Sequence, residues 1–134
     1  MRVLIVEDSQ DQRELYAAIL TAQGLRVTLA GDGEEGLEKA SQHRPDVIIV
    51  DLSLPGVSGW EATRRLRANE KTKHIPIIVL TAHSFVTAEA VGCEGCLIKP
   101  CLPVHLFAEI LRVVPGVQNA RRTHTSLNPE GKQP

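Results

Sequence analysis

No stretch of this chain approaches the ~20 consecutive apolar residues of a membrane-spanning helix, so no membrane partner is expected. Bulk charge is missing too. Fifteen basic and 16 acidic residues leave a net charge of −1, which gives nucleic acid and anionic lipid no attractive field. The opening "MRVLIVEDS" meets acids after a short apolar run, unlike a secretory signal peptide. Cysteine is scarce and odd in number, three in all with no disulfide framework, which suits a reducing cytoplasm. No glycine-rich phosphate cradle follows the first apolar run. A nucleotide phosphate set on "VEDSQDQ" would be repelled, which argues against a dinucleotide-binding domain.

What the chain does have is a regular alternation of short apolar runs and amphipathic segments. "RVLIV" (2–6), "RVTLA" (26–30), "VIIVD" (47–51), "IIVLT" (77–81) and "GCLIK" (95–99) read as five strands. The first, third and fourth are almost wholly apolar, as in a parallel sheet covered on both faces. Residues 11–23 carry Leu15, Ile19 and Ala22 at helical spacing, and Gly24 supplies a stop. A shorter helix over 33–42 turns Leu37 and Ala40 inward. Ser58 is a good N-cap for a third helix over 59–68, with Glu61 at the capping-box position. A last helix over 103–114 lines up Leu106, Ile110 and Val113. Five β-α units with short connections make an α/β sandwich, and right-handed crossovers leave few topologies. One domain over 1–114 fits this pattern, and 115–134, almost without large apolar residues, reads as a disordered tail or linker.

In an open parallel sheet, ligands bind outside the carboxyl ends of the strands, where strand order reverses. Glu7 and Asp8 follow strand one, Asp51 closes strand three, Thr81 strand four and Lys99 strand five. Charged residues gather at strand ends by default, and that explanation suffices for any one position. It does poorly for all five, because crowded carboxylates oppose one another's ionisation. A cation offsets that cost, and hard oxygen ligands with room for water suit Mg²⁺, with Mn²⁺ as an acceptable substitute.

With these residues in view, the chain resembles the receiver domain of two-component response regulators, over roughly residues 2–114. The resemblance rests on Glu7-Asp8, on "DLSLPGVSGWE" from Asp51, on "LTA" with Thr81 and on "IKP" with Lys99, in that order. It implies a flavodoxin-like (βα)5 three-layer sandwich with sheet order 2-1-3-4-5. It implies that Asp51 accepts a phosphoryl group from a phosphohistidine on a sensor histidine kinase or histidine phosphotransfer protein. Glu7, Asp8 and Asp51 would hold Mg²⁺ with the backbone carbonyl of Ser53. Lys99 and the Thr81 hydroxyl would contact the phosphoryl group, Ala82 would keep the approach uncrowded, and the Lys99–Pro100 bond would be cis. Ser53 and His83 occupy positions that tune phosphoryl lifetime in such domains.

The chain departs from that pattern in three places. Thr81 to Lys99 is short by about four residues, roughly one helical turn, and the loss falls where helix four should lie, leaving a stub over 86–91. Helix four, strand five and helix five are the family's usual output and homodimer face, so conventional output is in doubt. Cys96 stands where most receivers carry an aromatic switch residue, and it is too small for the same rotamer change. "CEGC" spaces Cys93 and Cys96 by two, with Cys101 beyond the proline. A redox switch or metal site is the sharp reading, and small residues packed about strand five the favoured one. Trp60 is expected to pack within helix three. The basic run 64–74 reads as a solvent face.

Two other functions compete with a phosphoacceptor switch that alters binding to a downstream protein. A small aspartyl-phosphate phosphohydrolase would want a second aspartate at position 53, where Ser53 stands, and a cap domain that is missing. A scaffold pseudo-receiver is opposed by the full set of Glu7, Asp8, Asp51, Thr81 and Lys99.

Overall fold

β-Branched and leucine side chains alternate along the strands, and the alternation sorts them onto two faces. The computed structural model describes residues 1–83 and 86–114. It runs β1 (Arg2–Val6), α1 (Gln10–Ala22), β2 (Arg26–Ala30), α2 (Gly33–His43), β3 (Val47–Asp51), α3 (Gly59–Ala68), β4 (Ile77–Thr81), α4 (Ala88–Val91), β5 (Gly95–Ile98) and α5 (Pro103–Val113). All strand pairs are parallel, in order β2-β1-β3-β4-β5. Val3, Ile5, Val47, Ile49, Ile78 and Leu80 pack on one face with Tyr16 and Leu20 of α1 and Leu106, Ile110 and Val113 of α5. Their neighbours Leu4, Val6, Ile48, Val50, Ile77 and Val79 face the other way, against Ala40 of α2 and Leu66 of α3. This is the flavodoxin-like three-layer sandwich that the strand pattern and the resemblance implied. The tail expected from residue 115 lies outside the described residues.

Local chemistry starts the helices where they start. Ser9, Asp32, Ser58 and Thr87 are N-caps whose side chains accept from the N–H groups of Gln12, Glu35, Glu61 and Ala90. Each such cap contributes about 1 kcal/mol. Gly92, at φ 81°, ends α4 in the left-handed region that L side chains avoid. Helix α4 is one turn, four residues, so the expected shortening of helix four is observed and its start falls two residues later than expected.

Two expected packing assignments are corrected. Leu15 and Ile19 do not form the inward stripe of α1; they are 52% and 36% exposed, while Tyr16 and Leu20 are buried. The run from Leu15 to Leu20 is apolar all round the helix, so two stripes fit the 3.6-residue period, and only contact with the sheet chooses between them. Trp60 does not pack inside α3. It is 45% exposed, because Ala62, Thr63 and Leu66 already occupy the buried side of that helix.

The end of the sheet away from the ligand side is held by a polar brace. Arg67 of α3 donates to the carbonyls of Gly92 (3.2 Å), Lys73 (3.1 Å) and Ile75 (2.7 Å), and pairs with the Glu94 carboxylate. Glu94 also accepts from the Ile77 N–H at 2.7 Å, and its carbonyl accepts from Arg112 of α5 at 2.9 Å. One guanidinium therefore fastens α3, the C-terminal end of the α4 stub and the starts of β4 and β5.

Cys93, Cys96 and Cys101 are free thiols, all partly buried. Cys93 and Cys96 pack against the second core cluster, and Cys101 against the first. Burial, and next the neighbouring Cys96, push the Cys93 thiol up from 9.0 to about 11, with backbone hydrogen bonding at Gly95 and Val79 too weak to offset that. A raised thiol lends stability that is present below pH 9 and is lost as pH climbs through about 11. At pH 8, Cys93 is therefore expected to react with a thiol-specific disulfide reagent much more slowly than in urea-unfolded protein. Equal rates would show that this segment is open in solution.

Gly59 supports the site directly. A Cβ there would lie 2.3 Å from the Asp51 carbonyl oxygen and 2.4 Å from the Leu52 Cα. Both are backbone atoms that cannot swing aside, so Gly59→Ala is expected to cost about 1–3 kcal/mol in urea denaturation. A neutral result would mean that α3 can shift away from β3.

Candidate functional site

Three strands deliver their last residues to one crevice. Glu7 follows β1, and its backbone N–H donates to the Ala30 carbonyl at 3.0 Å, continuing the sheet ladder by one step. Asp51 ends β3 and Thr81 ends β4; all three side chains are buried, at 1%, 3% and 1% exposed. A carboxylate in so dry a place needs a partner. Lys99, one residue past β5, supplies it: its Nζ lies 2.8 Å from Asp51 Oδ2 and 3.1 Å from Glu7 Oε1. The Lys99 backbone N–H donates to the Thr81 carbonyl at 2.7 Å, and the Lys99–Pro100 bond is cis. The residues just past the first and last strands thus meet over the end of the third strand.

The second oxygen of each carboxylate is held by a backbone N–H. Asp51 Oδ1 accepts from the Ser53 N–H at 2.9 Å, and Glu7 Oε2 from the Ser9 N–H at 3.1 Å. The Thr81 Oγ1 accepts from the His83 N–H at 3.1 Å. Asp8, Ser53, Ala82 and His83 are exposed. Glu7, Asp8, Asp51, Thr81 and Lys99, inferred from strand ends alone, therefore sit around one cleft. Cys96 lies deeper, within β5, paired to Val79.

Electrostatics in this cleft are unbalanced. Burial, then the adjacent Asp8 and the charge of Asp51, push the Glu7 carboxyl up to about 7, against the Ser9 N–H and the Lys99 ammonium. A raised carboxyl lends stability only while protonated, so this contribution is present below its ordinary 4.5 and lost as pH rises through about 7. Burial alone would lower the Lys99 ammonium, but its bonds to Asp51 and Glu7 outweigh that and raise it. One cation does not neutralise three acids.

The donor set fits a second cation. One carboxylate oxygen each from Glu7, Asp8 and Asp51 lies within 4.8 Å of the others, the only such group of three among the described residues. All are hard oxygen donors, and exposed Asp8 leaves the cluster open to water, as Mg²⁺ prefers.

Two supporting residues were not foreseen. Arg13 donates to the carbonyls of Glu7 (2.8 Å) and Asp8 (3.1 Å), fixing the loop that carries the acid pair. Its only sequence signal is a cation one turn into the helix that follows two acids. Tyr16 lies buried beside Lys99 and Cys101 in the wall of a groove of about 340 Å³. Burial, with the Cys101 thiol as hydrogen-bond partner, pushes its phenol up to about 12. A tyrosine in an apolar helix run gives no sign that it borders a site.

Comparison with known proteins now adds to the geometry. The family model of the response regulator receiver domain matches residues 3–111. The chain is 36% identical over 114 residues to the polar-differentiation response regulator DivK of Brucella anthropi, covering 82% of this chain and 92% of that one. Among solved structures it resembles the chemotaxis response regulator CheY4 of Vibrio cholerae, with TM-score 0.77 and 36% identity over 84% of this chain and 97% of that one. It also resembles the receiver domain of the sensor histidine kinase PA1611 of Pseudomonas aeruginosa, described with magnesium coordinated in its active site cleft. There the TM-score is 0.78 and the identity 33%, over 85% of this chain and 97% of that one. With a family model spanning most of the described fold and acids, hydroxyl and lysine converging at its strand ends, the chain belongs to the response regulator receiver domains of two-component signalling.

Proposed function

We propose that this domain is a phosphoacceptor switch, in which the Asp51 carboxylate takes a phosphoryl group from a phosphohistidine on a histidine kinase or phosphotransfer protein. The observation that carries the reading is the direct contact of Lys99 with both Asp51 and Glu7 at the end of a fully buried strand. In the transfer, an Asp51 oxygen forms the new bond to phosphorus while the phosphorus–nitrogen bond to imidazole breaks, and the electron pair leaves with the nitrogen. Phosphoryl transfer needs little covalent help from the protein; positioning and charge stabilisation supply most of the catalysis.

Each residue has a part in that. β3 holds Asp51 on a rigid element, and the Ser53 N–H fixes one of its oxygens. Lys99 neutralises the incoming equatorial charge, and the Thr81 hydroxyl donates to a phosphoryl oxygen. Exposed Ala82 leaves the entry side uncrowded. Glu7, Asp8, Asp51 and the Ser53 carbonyl would hold Mg²⁺, which supplies further charge neutralisation when bound. Ser53 and His83, exposed two residues beyond Asp51 and Thr81, would set how long the phosphoryl group survives. Phosphorylation adds nearly two negative charges, enough to alter partner binding at the surface around Lys99 and α4.

The test uses acetyl phosphate and Mg²⁺ with intact-mass detection. One phosphoryl adduct is expected on the wild type and none on Asp51→Asn or after chelation of the metal. Lys99→Ala is expected to slow labelling on the order of 10²-fold, as loss of a preorganised charge-stabilising group does. Continuous phosphate release without an adduct would favour a hydrolase instead, and no reaction at all would favour a scaffold.

A further inference from the structure

The Thr81 hydroxyl is tied to the middle of β5 by a run of three hydrogen bonds. The His83 N–H donates to Thr81 Oγ1 at 3.1 Å. The Val86 N–H donates to the His83 carbonyl at 3.2 Å. The Cys96 thiol donates to the Val86 carbonyl at 3.6 Å, an ordinary separation for sulfur. Every donor points the same way, from Cys96 toward Thr81, so successive peptide groups polarise one another. Val86 and Cys96 also pack in the same apolar cluster, which fixes the thiol's side of the strand.

This direction has a chemical consequence at Thr81. Because its oxygen already accepts the His83 N–H, the hydroxyl proton must point elsewhere. Thr81 is therefore held as a donor, the role an anionic phosphoryl oxygen requires. Thr81 is buried and its backbone is fixed by β4, but its χ1 rotor is set by this loop contact.

We propose that Cys96 is a positioning residue: through Val86 and His83 it sets the Thr81 hydroxyl toward the phosphoryl site. This rests on the phosphoacceptor reading of Asp51. A residue serving only to fill space would be replaced without loss by an isostere. Cys96→Val keeps the volume and removes the donor, and Cys96→Ala guards against a variant that fails to fold.

Two measurements decide it. In the first, beryllofluoride binding with Mg²⁺ is titrated by fluorine NMR. Cys96→Val is expected to weaken it about two- to five-fold, the size of a lost weak hydrogen bond. In a Thr81→Ala background the same change is expected to have no effect. An unchanged affinity, or an equal loss in both backgrounds, overturns the proposal. In the second, amide exchange of His83 in the unmodified protein is expected to quicken in Cys96→Val and Cys96→Ala. Unchanged exchange also overturns it. Wild-type protein that does not bind beryllofluoride would remove the phosphoacceptor reading, while the exchange result would still show whether Cys96 holds His83.

Discussion

A single ammonium makes this arrangement of strand ends tenable. Glu7 and Asp51 are nearly removed from water, and without Lys99 both carboxyls would tend to protonate or draw water into the core. The contact joins residues 92 positions apart, so it also closes the fold: β1 and the segment after β5 are brought together over β3. Removing one partner of such a buried pair leaves an uncompensated charge, which costs more than the pair itself contributes. Structure and chemistry at this end of the sheet are therefore the same problem.

Much of this was legible in the sequence because strand ends in a parallel sheet are easy to mark. Asp51, Thr81 and Lys99 each terminate an apolar run, and the topology forces those ends to one side. The strand faces were equally readable, since a period of two sorts neighbouring residues without ambiguity. The helices were harder. Around α1 the apolar residues encircle the axis, so the choice of Tyr16 and Leu20 over Leu15 and Ile19 depends on sheet geometry that no local pattern carries. Trp60 misled for a related reason: its size suggests burial, but its position on α3 is decided by smaller residues that fit against the sheet. Arg13 and Tyr16 were missed because they serve the site through backbone and packing, which leave no motif.

Shortening helix four to one turn did not leave that region unsupported. Thr87 caps its start and Gly92 its end, and Val86 inserts into the core just before it. The thiol at Cys96 reaches the Val86 carbonyl where a larger side chain would have displaced it. A small residue in β5 and a short α4 are thus mutually consistent: the thiol meets the Val86 carbonyl by a polar contact rather than by bulk.

The Arg67–Glu94 brace divides the molecule mechanically. At the amino-terminal rim of β4 and β5, one guanidinium and one carboxylate rivet three segments that would otherwise slide independently. Toward the opposite rim, the His83 N–H bonds the Thr81 hydroxyl at 3.1 Å and the Val86 N–H bonds the His83 carbonyl at 3.2 Å. A perturbation arriving at Asp51 therefore meets a stiff floor beneath it. With that rim fastened, a molecule this small behaves as a cantilever whose fixed end is known.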